Sequence, residues 1–350
     1  MQTSTKLPGL DGLRGIAALS VALAHIGLSL PLFGGSPVSS EAFAGLGVIL
    51  FFVLSGFLIT LLLLQEKSAN NSIAVRRFYM RRILRIWPAY YMVILISIAA
   101  LYLIECYTPA GNVLWCYLFF LPNIPLAAGS AIPALVHLWS IGVEEQFYAT
   151  WPWLIKKVKN LTGTFISIVL LYLLLKFLFR YWGSQQLYTF WYYLRFDCMA
   201  IGGIGALLVH GRHKLLYHIY TQPIFWIAVA VSISAMYKVI TIPLFKEELY
   251  PLAFLIIIIN VSTNPAVPVK LNHAALRFLG KISYGIYLYH PLMIYLCAWL
   301  CKKFALLHIV QYSGYVPVYL FVIAATMLLA LASYRLVEQH FLKLKKKYAA

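Results

Sequence analysis

Arg14 and His25 stand eleven positions apart in an otherwise apolar stretch. At about 100° per residue this spacing returns almost to its starting direction, so a helix puts both side chains on one face, roughly 16 Å apart along its axis. An ionisable group inside a membrane helix costs about 2.5–3.5 kcal/mol on insertion scales, which makes each one a functional candidate by default. Histidine is the side chain best suited to take a proton from a hydroxyl near neutral pH. The plainer reading, Arg14 as a helix-end anchor and His25 as a satisfied core histidine, is weakened by the pairing.

Three more groups have types and spacing suited to chemistry. Arg76, Arg77, Arg81, Arg82 and Arg85 precede Trp87 and Pro88; arginine forks bind phosphate through paired, charge-assisted hydrogen bonds, although the same cluster also serves as a topology signal against anionic lipid. Trp139, Ser140, Glu144, Glu145, Gln146 and Tyr148 follow in a later apolar span, whose direction of travel places the glutamates at about the depth of His25. Adjacent carboxylates point about 100° apart, so at most one faces the histidine directly. Such a partner would orient the imidazole and stabilise its protonated form. The alternative is structural pairing of a glutamate with an arginine, for which Arg195 and Asp197 are candidates. Last come Ser283, Tyr284, Tyr287, Tyr289 and His290, then Pro291. Tyrosines at this spacing also suit an interfacial belt or a core, whereas a histidine before a helix-kinking proline sits beside freed backbone carbonyls.

The elements that must position these residues are membrane helices. Of the 350 residues 62% are hydrophobic and 11% charged, a composition outside the range of soluble globular domains. A hydrocarbon layer of roughly 30 Å takes about 20 apolar residues per helix. Long apolar windows predict an all-α polytopic protein with ten crossings, near 13–31, 43–65, 86–106, 137–156, 163–182, 188–210, 219–238, 248–262, 282–301 and 315–337. Asn112 to Leu121, between Gly111 and Pro122, reads as an interfacial or re-entrant piece.

Charge supports the count. Lys6, Lys67, the Arg76–Arg85 cluster, Lys156, Lys157, Lys159, Arg212, Lys214, Lys270, Arg277, Lys281 and Lys343 to Lys347 fall on one side, against mainly Arg180, Lys246, Lys302 and Lys303 on the other. The positive-inside rule then puts both termini in the cytoplasm, as an even number of crossings requires. The net charge of +18 thus reads as membrane topology and not as nucleic-acid binding. The five cysteines lack the clustered spacing of a metal site, so packing is their expected role and no metal is expected. A removable signal peptide is not expected either. The whole chain, 1–350, is expected to be one transmembrane domain, with no fused extracytoplasmic hydrolase-like domain.

Ordered stretches along the chain resemble the acyltransferase-3 family of bacterial membrane O-acyltransferases. They are Leu10-Asp11-Gly12-Leu13-Arg14-Gly15 with His25; Phe51 through Phe57; Arg81-Arg82-Ile83-Leu84-Arg85-Ile86-Trp87-Pro88; His137-Leu138-Trp139-Ser140 through Tyr148; Arg195-Phe196-Asp197; Gly280 through Pro291; and Tyr334-Arg335 to Glu338. Two features depart from many members: Pro291 directly follows His290, and Gln339-His340 stands where a basic residue and proline are common.

The resemblance implies transfer of an acyl group, usually acetyl, from cytosolic coenzyme A to a sugar hydroxyl of a surface polysaccharide or glycoconjugate, in the bacterial inner membrane. Acetyl-CoA would be the donor substrate, no cofactor would be bound permanently, and a glycan or lipid-linked oligosaccharide would be the acceptor. On this reading Arg14, Arg81, Arg82 and Arg85 dock the coenzyme phosphates, and His25, oriented by Glu144 or Glu145, deprotonates the acceptor. Ser140, Tyr148 or Tyr284 supply oxyanion donors, with Arg195, Asp197, Ser283 and His290 as further site candidates. An acyl-histidine relay uses the same residues. The competing class is a sugar or ion transporter or flippase lined by the same charges, although no inverted repeat is visible.

Overall fold

The computed structural model describes residues 7–38, 41–234, 246–308 and 314–348. The described residues are helical or irregular, with no strand. The main helices are α1 (Leu10–Leu28), α2 (Glu41–Asn70), α3 (Val75–Glu105), α4 (Gly111–Leu118), α5 (Asn123–Ala127), α6 (Trp139–Lys157), α7 (Leu161–Trp182), α8 (Gln185–Leu194), α9 (Phe196–His210), α10 (Leu215–Ile219), α11 (Gln222–Ser234), α12 (Lys246–Thr263), α13 (Ala274–Lys303), α14 (Val316–Ser333) and α15 (Gln339–Lys345). Seven helices among the described residues are long and apolar enough to cross a membrane, with α8 and α9 forming one of these spans. α11 and α12 are shorter apolar helices.

Most expected spans coincide with observed helices, and the differences have local causes. α3 begins at Val75, so the arginine cluster lies on its first turns and not ahead of it; a charged end can extend past the apolar layer because water solvates it. The span near 137–156 begins as a 3-10 helix, Pro133–Leu138, before α6. The span near 188–210 breaks at Arg195, whose φ of 33° is left-handed and ends α8. Near 315–337, α14 passes into a π-helical turn, Tyr334–Glu338. The window near 219–238 ends outside the described residues beyond Ser234. The piece predicted at Asn112 to Leu121 is the short α4, which fits an interfacial segment.

Two close helix pairings build the frame of the site. α1 lies against α13, and α2 against α9. Without large apolar area to gain between helices in lipid, small residues that let backbones approach drive such contacts. A Cβ on Gly280 would run into the Asp11 carbonyl, and one on Gly56 into that of Met199. These glycines bring Arg14 and His25 of α1 alongside Ser283, Tyr284, Tyr287 and His290 of α13.

Candidate functional site

Two chambers lie back to back in the bundle. The first is lined by Arg14 of α1, Ser55 of α2, Arg82 and Arg85 of α3, Ser140, Glu144 and Tyr148 of α6, and Ser283, Tyr284 and Tyr287 of α13. Its empty space, counting the mouth, is about 750 Å3, the size class of a small-molecule site. The second is lined by His25, His137, Trp139, Tyr192, Tyr193 and Arg195. Val48, Phe52 and Tyr287 belong to both walls, so a layer of three side chains separates an arginine chamber from a histidine chamber.

Charge in the arginine chamber is strongly biased. Arg14 and Arg85 meet there with Arg82, whose guanidinium lies 5.3 Å from the Tyr148 ring centre and 5.6 Å from that of Phe78. Arg82 Nε is buried without a hydrogen-bond partner. Arg14 has Asp11 at 3.7 Å, one turn back on its own helix. Glu144 accepts hydrogen bonds from the Ser55 and Tyr148 hydroxyls. Three guanidinium groups against one carboxylate on the wall make a receptor for an anion, and a buried donor without an acceptor strengthens that assignment. Tyr284 is held by donating to the Ile86 carbonyl at 2.8 Å, and Ser283 by donating to Gly280 at 2.9 Å.

In the histidine chamber His25 Nδ1 lies 2.9 Å from His290 Nε2, with the rings stacked at 5.0 Å between centres. His137 is edge-on to His290, their ring centres 5.2 Å apart, and its Nε2 lies 3.1 Å from the Leu288 carbonyl. In the dividing layer the Tyr287 hydroxyl is 2.6 Å from Ser140 Oγ and 3.0 Å from the His137 carbonyl. Trp139, Tyr192 and Tyr193 give the outer wall aromatic faces, with Trp139 and Tyr193 4.6 Å apart. Among the described residues, no group of three or more His, Cys, Asp or Glu side chains is placed to hold a metal ion.

The expected pairing of His25 with Glu144 or Glu145 is corrected by this arrangement: the partner of His25 is His290. Glu144 lies on the arginine chamber, and Glu145 accepts from Trp87 Nε1 at 3.1 Å. The shift has a simple geometric cause. His137 occupies the level of His25, and Glu144, seven residues on, is about 10 Å farther along at a helical rise of about 1.5 Å per residue.

Arg81 also departs from expectation. It pairs with Glu66 at 3.2 Å and donates to the Tyr348 carbonyl at 3.0 Å, away from the chamber. Arg195 and Asp197 pair neither with a glutamate of α6 nor with His25; they bind each other through two hydrogen bonds, at 3.2 and 3.0 Å, and Arg195 faces the histidine chamber. Ser55, His137 and Phe52 line the chambers without having been singled out as site residues. All three lie within the quoted family-like stretches, which was the available signal.

The fold and chambers define a multi-pass, all-helical membrane protein with a cluster of arginines backed against a cluster of histidines. An acyltransferase domain model, that of the acyltransferase-3 family, matches residues 7–335, and the chain belongs to that family. Similar proteins include a Staphylococcus aureus (strain COL) protein named "Putative O-acetyltransferase", 28% identical over 96% of this chain and 57% of the relative. Another is "Putative peptidoglycan O-acetyltransferase YrhL" of Bacillus subtilis, 28% identical over 81% of this chain and 48% of the relative. A third is O-acetyltransferase OatA of Staphylococcus aureus (strain NCTC 8325 / PS 47), 27% identical over 97% and 57%. The chain therefore spans about half the length of the curated relatives it matches. No solved structure matches it.

Proposed function

We propose that the protein is a membrane O-acyltransferase that moves an acyl group, in the first instance acetyl, from acyl-coenzyme A to a hydroxyl of a sugar in a cell-surface polysaccharide or glycoconjugate. The observation that carries this reading is the back-to-back placement of the chambers: Arg14, Arg82 and Arg85 on one side, His25 on the other, and a single layer between them. Coenzyme A carries several phosphates at one end and its thioester at the other, so a polyanion receptor one side chain away from a proton acceptor matches its polarity. The names of the similar proteins, all O-acetyltransferases and one of them for peptidoglycan, favour acetyl as the group and a wall glycan as the acceptor.

In this account the phosphates rest on Arg14, Arg82 and Arg85, and the pantetheine arm enters toward Phe52 and Tyr287. His25 takes the proton of the acceptor hydroxyl as its oxygen attacks the thioester carbonyl. The carbon–sulfur bond then breaks, and the thiolate leaves as the free thiol with the proton from His25. Ser140, whose hydroxyl meets that of Tyr287 at the dividing layer while Tyr287 donates to the His137 carbonyl, is placed to donate to the developing oxyanion. The seven long spans with α6, α11 and α12 make ten crossings, both termini are cytoplasmic by the distribution of basic residues, and the membrane is the bacterial cytoplasmic one.

The reading is tested with purified protein in proteoliposomes, measuring free coenzyme A released from acetyl-coenzyme A with and without a glycan acceptor. Release should depend on acceptor, and His25→Ala should lower it by about 10²-fold or more in protein that still inserts and folds. Release by His25→Ala at a tenth of wild type or better would overturn the assignment of His25 as base.

A further inference from the structure

We infer that His290 is a positioning residue that fixes the proton arrangement of His25, leaving the Nε2 lone pair of His25 bare for the acceptor hydroxyl; the inference rests on the proposed role of His25. It follows from a chain of three groups. His290 Nδ1 lies 3.2 Å from the Ile286 carbonyl. A carbonyl only accepts, so the hydrogen of neutral His290 sits on Nδ1 and its Nε2 carries a lone pair.

That lone pair faces His25 Nδ1 at 2.9 Å. The contact is a hydrogen bond only if His25 Nδ1 carries the hydrogen, so neutral His25 has its lone pair on Nε2. The anchor is local to the helix, since the Ile286 carbonyl lies one turn before His290.

When His25 takes the hydroxyl proton on Nε2, both its nitrogens carry hydrogen, and the bond to His290 becomes charge-assisted and shorter. Stabilisation that grows as the proton arrives acts on the transition state more than on the bound substrates. Loss of His290 should therefore lower kcat and leave the donor KM unchanged.

The experiment compares His290→Leu with His290→Gln in proteoliposomes. The glutamine carbonyl reaches the position of Nε2 and can accept from His25 Nδ1–H; leucine fills the space without accepting. His290→Leu should lower kcat by about 10²-fold with donor KM within a factor of about two, and His290→Gln should recover kcat to within about tenfold of wild type. Equal loss in both variants, or a retained kcat in His290→Leu, would overturn the inference; His25→Ala losing activity at the same time would leave the base assignment standing. Should His290→Leu fail to fold, 15N NMR of histidine-labelled wild type in nanodiscs decides: hydrogen on Nδ1 of neutral His25 supports the inference, and hydrogen on Nε2 overturns it.

Discussion

Arg81, Arg82 and Arg85 are nearly contiguous in sequence, yet they divide between two jobs. Arg82 and Arg85 line the chamber, whereas Arg81 is committed to Glu66 and the Tyr348 carbonyl. Sequence alone does not separate them, because the direction of each side chain depends on where α3 meets its neighbours. Ala at Arg82 or Arg85 should raise the donor KM about tenfold, the loss expected for a charge-assisted hydrogen bond. Ala at Arg81 should change it by less than about threefold and should lower stability instead, by leaving the buried Glu66 carboxylate without its partner. Equal KM changes at all three positions, measured by titrating acetyl-coenzyme A, would show that the chamber is not the phosphate site. The shared face of Arg14 and His25 was legible from eleven residues of helical spacing. The partner of His25 was not, because the meeting of α1 with α13 depends on contacts 265 residues apart.

Helices were legible wherever a long apolar window met a charged or small-residue end, as in α1, α7 and α14. They were less so where polar backbone was involved. The 3-10 entry to α6 and the left-handed break at Arg195 carry little hydropathy signal, and they decide which residues reach which chamber. The dividing layer depends on three helices: α2 provides Val48 and Phe52, α13 provides Tyr287, and α6 pins Tyr287 through Ser140. Phe52 is 2% exposed and packs edge-on to Trp139, so on the proposed reading it holds water away from the point where the thioester would arrive. Phe52→Ala should open this layer and raise acceptor-independent release of coenzyme A by about tenfold, with acceptor-dependent transfer falling. Unchanged release without acceptor would mean that this layer does not shield the thioester.

Across the whole molecule, the proposed reading has the bundle join two compartments that each supply one substrate. The 62% hydrophobic composition was enough to indicate a polytopic protein. It could not show that the arginines and histidines of distant helices form two adjoining chambers, since that is a property of packing. On the proposed reading, donor and acceptor approach from opposite ends of the bundle and meet at the layer between them. The most direct test is transfer across sealed, uniformly oriented vesicles, with radiolabelled acetyl-coenzyme A confined to the side of the termini and a glycan acceptor confined to the other. Label on the glycan with no acetyl-coenzyme A crossing the membrane is the expected result. Label appearing only when both substrates share one compartment would contradict it.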